Sequence, residues 1–66
     1  MSELSYTLPG MHCGHSERAV SEELQQVEGV DSVQVDLETK VVTVRGGRLD
    51  DASLRVAIEE AGYEAA

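Results

Sequence analysis

The sequence holds one cysteine, one proline, and five basic residues against 13 acidic ones. A single cysteine excludes an intramolecular disulfide and a structural zinc site of the four-thiolate type. No apolar run reaches the ~18 residues of a membrane-spanning helix, so no membrane partner is expected. Met1-Ser2-Glu3 offers neither a basic n-region nor an apolar h-region, so a secretory leader is not expected and the setting reads as cytoplasmic. A net charge of −8 lacks the basic footprint that nucleic acid or an anionic lipid surface requires. It suits solubility, or a partner that presents positive charge. The 66 residues make one domain, 1–66. A chain of this size buries only about 60% of the surface its unfolded form exposes. Nearly every apolar residue is therefore needed in the core.

The pattern of those apolar residues predicts the elements. Leu4-Ser5-Tyr6-Thr7-Leu8 alternates apolar and polar, as a half-buried strand does, and Pro9-Gly10 ends it. Ala19, Val20, Leu24 and Val27 form the apolar stripe of a helix spanning about 16–27, with Gly29 expected as its cap. Val30, Val33, Val35 and Leu37 mark a second strand, Glu38-Thr39 a tight turn, and Lys40–Arg45 a third strand paired antiparallel with the second. Leu49 and Asp50 read as hydrophobic staple and N-cap of a second helix, with Leu54 as the staple partner. Leu54, Ala57, Ile58 and Ala61 give that helix its stripe, Gly62 ends it, and Tyr63–Ala66 is available for a short edge strand. The order predicts an α+β, ferredoxin-like βαββαβ sandwich: an antiparallel sheet with two helices on one face. That fold serves many functions and specifies none.

Unusual chemistry is confined to Gly10-Met11-His12-Cys13-Gly14-His15-Ser16. Cys13 is expected at or just before the first helical turn, where unpaired amides and the helix dipole favour a thiolate. A thiolate binds soft metals or attacks electrophiles. A lone cysteine also serves as a small buried hydrophobe, but this one lies in a Gly-rich loop outside any apolar stripe. His12 and His15 are candidate co-ligands, since imidazole suits Cu(I), Cu(II) and Zn(II). His15 is preferred, because adjacent side chains on extended backbone diverge and carry His12 away from Cys13. The competing reading of both histidines is an exposed polar loop residue.

Gly10, Met11 and Cys13 match the Gly-Met-x-Cys-x-x-Cys loop of the heavy-metal-associated domain, the family of copper chaperones and of domains in metal-transporting ATPases, which the chain resembles. The resemblance extends through Val27-Glu28-Gly29-Val30 and Ala57–Tyr63. It implies binding of Cu(I), or of Zn(II) or another soft ion, and transfer to a metal-transporting P-type ATPase or its metal-binding domain. No Ser-His-Asp order, phosphate-cradling Gly loop or paired-carboxylate site is discernible, so no enzyme is expected, and a catalytic role would rest on Cys13 alone. The resemblance also implies that Met11 packs inward beneath the loop, and that Tyr63 stands beside the site, screening it, hydrogen-bonding near the sulfur, or capping the core.

The departure is Ser16, which stands where the family has its second cysteine. A hard hydroxyl offers a soft ion little, so a two-thiolate site cannot form within one molecule. The expected ligand set is Cys13 with His15, Ser16 and His12 around it, or Cys13 of a second copy in a metal-bridged homodimer. Two further readings compete: a docking module that keeps the fold without metal, and a monothiol redox protein built on Cys13-Gly14-His15-Ser16. Glu17, Glu22, Glu23 and Glu28 are a solvated face, or a surface that steers a basic partner.

Overall fold

The computed structural model describes residues 2–12 and 14–66. The elements run β1 (Ser2–Thr7), α1 (Gly14–Gln25), β2 (Val30–Asp36), β3 (Val41–Gly46) and α2 (Asp51–Glu60). The sheet order is β1-β3-β2, all antiparallel. Register explains the sidedness of the core. Leu4 and Val33 flank Val44, while Tyr6 and Val35 flank Val42. These apolar positions share one face with Val20 and Leu24 of α1 and with Leu54, Ala57 and Ile58 of α2. The alternate positions, including the exposed pair Glu3–Arg45 at 2.7 Å, form the open face. The ferredoxin-like arrangement is therefore the one expected. Its last segment is reduced: Ala66 N–H donates to the Thr7 carbonyl at 2.7 Å, and no fourth strand forms among the described residues.

Local chemistry sets the boundaries of α2. Asp50 caps it, its carboxylate accepting from Ala52 N–H at 3.2 Å and from the Ser53 hydroxyl at 2.9 Å. Leu49 packs against the cluster that contains Leu54, as a staple does. At the other end, Gly62 N–H bonds the Glu59 carbonyl and Tyr63 N–H the Ile58 carbonyl, the paired bonds of a Schellman motif.

Gly29 has a different role from the expected cap. The helix α1 starts at Gly14 and ends at Gln25, earlier than predicted. Gly29, at φ +92°, lies beyond it in the turn into β2. A Cβ there would sit 2.1 Å from the Arg48 carbonyl oxygen, and one on Gly46 would sit 1.9 Å from the Gly29 carbonyl oxygen. The chain crosses itself here at a distance only glycine allows. The register of β2 slips beside this crossing, between Val30 and Ser32.

Tyr6 ties β1 to α2. Its hydroxyl donates to Asp51 Oδ1 at 2.6 Å, and the Arg55 guanidinium lies 5.5 Å over its ring while Arg55 Nε donates to Asp51 Oδ2. Burial, helped by the bond to Asp51, pushes the Tyr6 phenol up from 10.0 to about 12. The bond from Tyr6, then that from Arg55, holds the Asp51 carboxyl below its usual range. For Tyr6 the folded chain keeps a proton that the unfolded chain releases. That contribution is complete below pH 10.0 and is lost as pH rises towards about 12. Urea midpoints across this window are expected to fall more steeply for the parent than for Tyr6→Phe; parallel curves would contradict the assignment.

Candidate metal centre

Thr7 pairs with Val41, so the end of β1 and the start of β3 lie at one end of the sheet. Three connections therefore converge there: the loop after β1, the β2–β3 turn, and the segment after α2. Gly10 faces the Tyr63 ring, since a Cβ on Gly10 would meet Tyr63 Cδ1 at 3.5 Å. Tyr63 thus stands beside the loop after β1.

Met11 is fully buried, 0% exposed, and belongs to the core cluster. Its thioether is spent on packing beneath the loop, and its N–H bonds the Leu8 carbonyl at 3.1 Å. Ser16 is the one buried polar residue among those described, at 7% exposure. It occupies the inward side of the first turn of α1, ahead of Val20 and Leu24 on the same stripe. Tyr63 donates its hydroxyl proton to Ser16 Oγ at 2.6 Å. Neither ring nor hydroxyl is idle: the tyrosine both flanks Gly10 and bonds the buried Ser16 hydroxyl.

His12 and His15 are both exposed, His12 in the loop and His15 on the first turn of α1. His15 borders an open groove with Gly14, Glu17 and Arg18. Neighbouring helical positions diverge by about 100°, so His15 looks outward where Ser16 looks inward. Cys13, expected at the helix start as the metal anchor, lies outside the described residues. Among the described residues no three His, Cys, Asp or Glu side chains are grouped to hold a metal ion.

Lys40 was not foreseen as part of this end. Sequence pattern makes it the first residue of the third strand, whereas the strand begins at Val41. Asp36 Oδ1 accepts from Glu38 N–H at 2.9 Å and from Thr39 N–H at 3.3 Å, closing a turn that leaves Lys40 at φ +65°. A left-handed conformation costs a residue with a Cβ roughly 1 kcal/mol. From it, Lys40 Nζ donates to the Met11 carbonyl. The only advance signal was topological, since the fold brings this turn beside the loop.

The family model of the heavy-metal-associated domain matches residues 5–64, nearly the whole chain. The chain belongs to that family. The copper chaperone CopZ of Staphylococcus aureus is 38% identical over 69 residues, covering 97% of each chain. The solved structure of a CopZ metallochaperone superposes with a TM-score of 0.93 at 33% identity, covering 98% of this chain and 100% of that one. A copper binding domain from HMA7, a P-type ATPase, superposes at 0.91 with 26% identity, covering 100% and 92%. Heavy-metal-associated domains of this kind are non-enzymatic metal carriers, and the sandwich described above is their fold. No helix among the described residues is long and apolar enough to cross a membrane.

Proposed function

We propose that the protein is a cytoplasmic Cu(I) carrier that hands its ion to a partner by thiolate exchange through a one-cysteine site. One observation carries this reading. Met11 is buried beneath the loop on the family's fold, and the resemblance sets Ser16 where the family has its second cysteine. Cys13 is the anchoring thiolate. His15 is the preferred second ligand and His12 the alternative, both exposed and free to approach an ion at the surface. Ser16 contributes at most a weak oxygen, because its hydroxyl already accepts from Tyr63. Zn(II) or another soft ion is the alternative cargo, since imidazole beside one thiolate suits it too.

Transfer follows from under-coordination. On loading, the Cys13 thiol gives up its proton to solvent. An incoming thiolate then adds to the copper before the Cys13–copper bond breaks, and no electron changes hands. The partner proposed is a metal-transporting P-type ATPase or its metal-binding domain, supported by the likeness to the HMA7 domain. The exposed Glu17, Glu22 and Glu28 would favour a basic docking face. A second copy, joined through copper between two Cys13 thiolates, is the competing partner; repulsion between two chains of −8 is screened beyond about 8 Å at physiological salt.

Anaerobic Cu(I) titration against a chromophoric chelator tests the proposal, with sedimentation of the loaded protein in the same series. The parent is expected to take up copper, and Cys13→Ala to lose tight binding while keeping its circular dichroism. Equal competition by the alanine variant would place the site elsewhere. A parent that takes up none would leave the fold as a docking module.

A further inference from the structure

Lys40 grips the loop that leads into Cys13 at two points, and the ligand set above makes no use of it. Its carbonyl accepts from Leu8 N–H at 2.7 Å, and its ammonium donates to the Met11 carbonyl. Between these points, Met11 N–H closes back on the Leu8 carbonyl. The stretch from Leu8 to Met11 is thus a turn fixed at both ends by one residue of the β2–β3 connection. Lys40 is also the only lysine in the chain, and it is held half-buried at φ +65°, where glycine or asparagine would be less strained. What a long cationic side chain adds at that position is its bond to Met11.

We infer that Lys40 is a positioning residue of the metal loop: by capping the Met11 carbonyl, its ammonium holds the loop in the form that binds copper. The inference rests on the Cu(I)-carrier reading for its functional part. A carbonyl capped by an ammonium is a charge-assisted bond and resists opening more than one turned to water. The same cation stands two residues before Cys13 in a chain of net charge −8.

The test compares Lys40→Met, Lys40→Arg and Lys40→Gly with the parent, first without metal and then by Cu(I) competition. In the metal-free protein, Lys40→Met is expected to speed Met11 amide exchange about tenfold, the effect of losing one hydrogen bond to a charged group. The Leu8 amide, bonded to the Lys40 backbone, keeps its protection. Cu(I) affinity is expected to fall by a similar factor, about tenfold. Lys40→Arg restores both readouts. Lys40→Gly melts higher than Lys40→Met, because it relieves the left-handed strain, yet its loop exchanges as fast. Unchanged Met11 exchange in Lys40→Met would overturn the clamp whether or not copper binds. Faster exchange with unchanged affinity, in a parent that binds Cu(I), would overturn its role in the site. A parent that binds no Cu(I) defeats the carrier reading and with it this role, leaving the exchange data to decide the clamp alone.

Discussion

A Ser16→Cys variant is expected to bind Cu(I) at least about a thousandfold more tightly than the parent, roughly 4 kcal/mol. Ser16 is 7% exposed on the first turn of α1, and sulfur for oxygen is a small volume change at a site already facing inward. The substitution supplies a second soft ligand within three residues of Cys13, so the ion no longer depends on exposed imidazole or a second molecule. Tyr63, which now donates to Ser16 Oγ at 2.6 Å, would donate to the new sulfur and favour its charged form. Chelator competition under anaerobic conditions reads the change directly. An affinity within a factor of about ten of the parent, one step of 1.4 kcal/mol, would mean that position 16 does not face the ion.

The second large effect belongs to the opposite end of the sheet. Gly46→Ala is expected to destabilise the fold by about 4 kcal/mol or more, at the upper end for single substitutions. The new methyl would lie 1.9 Å from the Gly29 carbonyl oxygen and 2.9 Å from Leu49 Cδ2. The first is backbone, so relief requires prising β3 from the turn that enters β2. For a domain of this size, total stability is on the order of 3–10 kcal/mol, so the loss is a large share of the whole. Gly47→Ala is the control, since nothing lies within 4 Å of its added carbon. Urea denaturation followed by circular dichroism separates the two, and a loss below about 1 kcal/mol for Gly46→Ala, the average cost of any substitution, would show the crossing to be compliant.

What sequence made legible was chemistry that acts over a few residues. Asp50, Leu49, Leu54 and Gly62 bound α2 through contacts confined to its own turns, and the structure has them all in those roles. Periodicity likewise found β1, β2 and β3, while the inward Met11 came from the family resemblance. The misses share a cause. Gly29 reads as a helix cap, but its conformation answers to Arg48, far along the chain. Lys40 reads as strand, because nothing local reveals that Asp36 would close the turn before it or that Met11 would be in reach. Tyr63–Ala66 is available for an edge strand, yet Ala65 and Ala66 carry little β-propensity, and among the described residues one backbone bond, from Ala66 to Thr7, results. At the candidate site, motif and neighbours were visible in advance. The pairing of Tyr63 with Ser16 was not, since it spans 47 positions.

The strand order carries a consequence for synthesis. β1 emerges first, but its ladder partner is β3, which begins at Val41; in the final register Ser2 lies opposite Gly46. A nascent chain that has exposed only its first half offers β1 no ladder and the loop after it no Lys40 to lean on. The hairpin of β2 and β3 closes a short connection, whereas docking β1 closes one that runs from Leu8 to Lys40, half of the chain, and bears the larger entropic penalty. The loop after β1 therefore gains its last support only once β3 has left the ribosome, and a chain stalled before that point lacks the scaffold on which the proposed site depends.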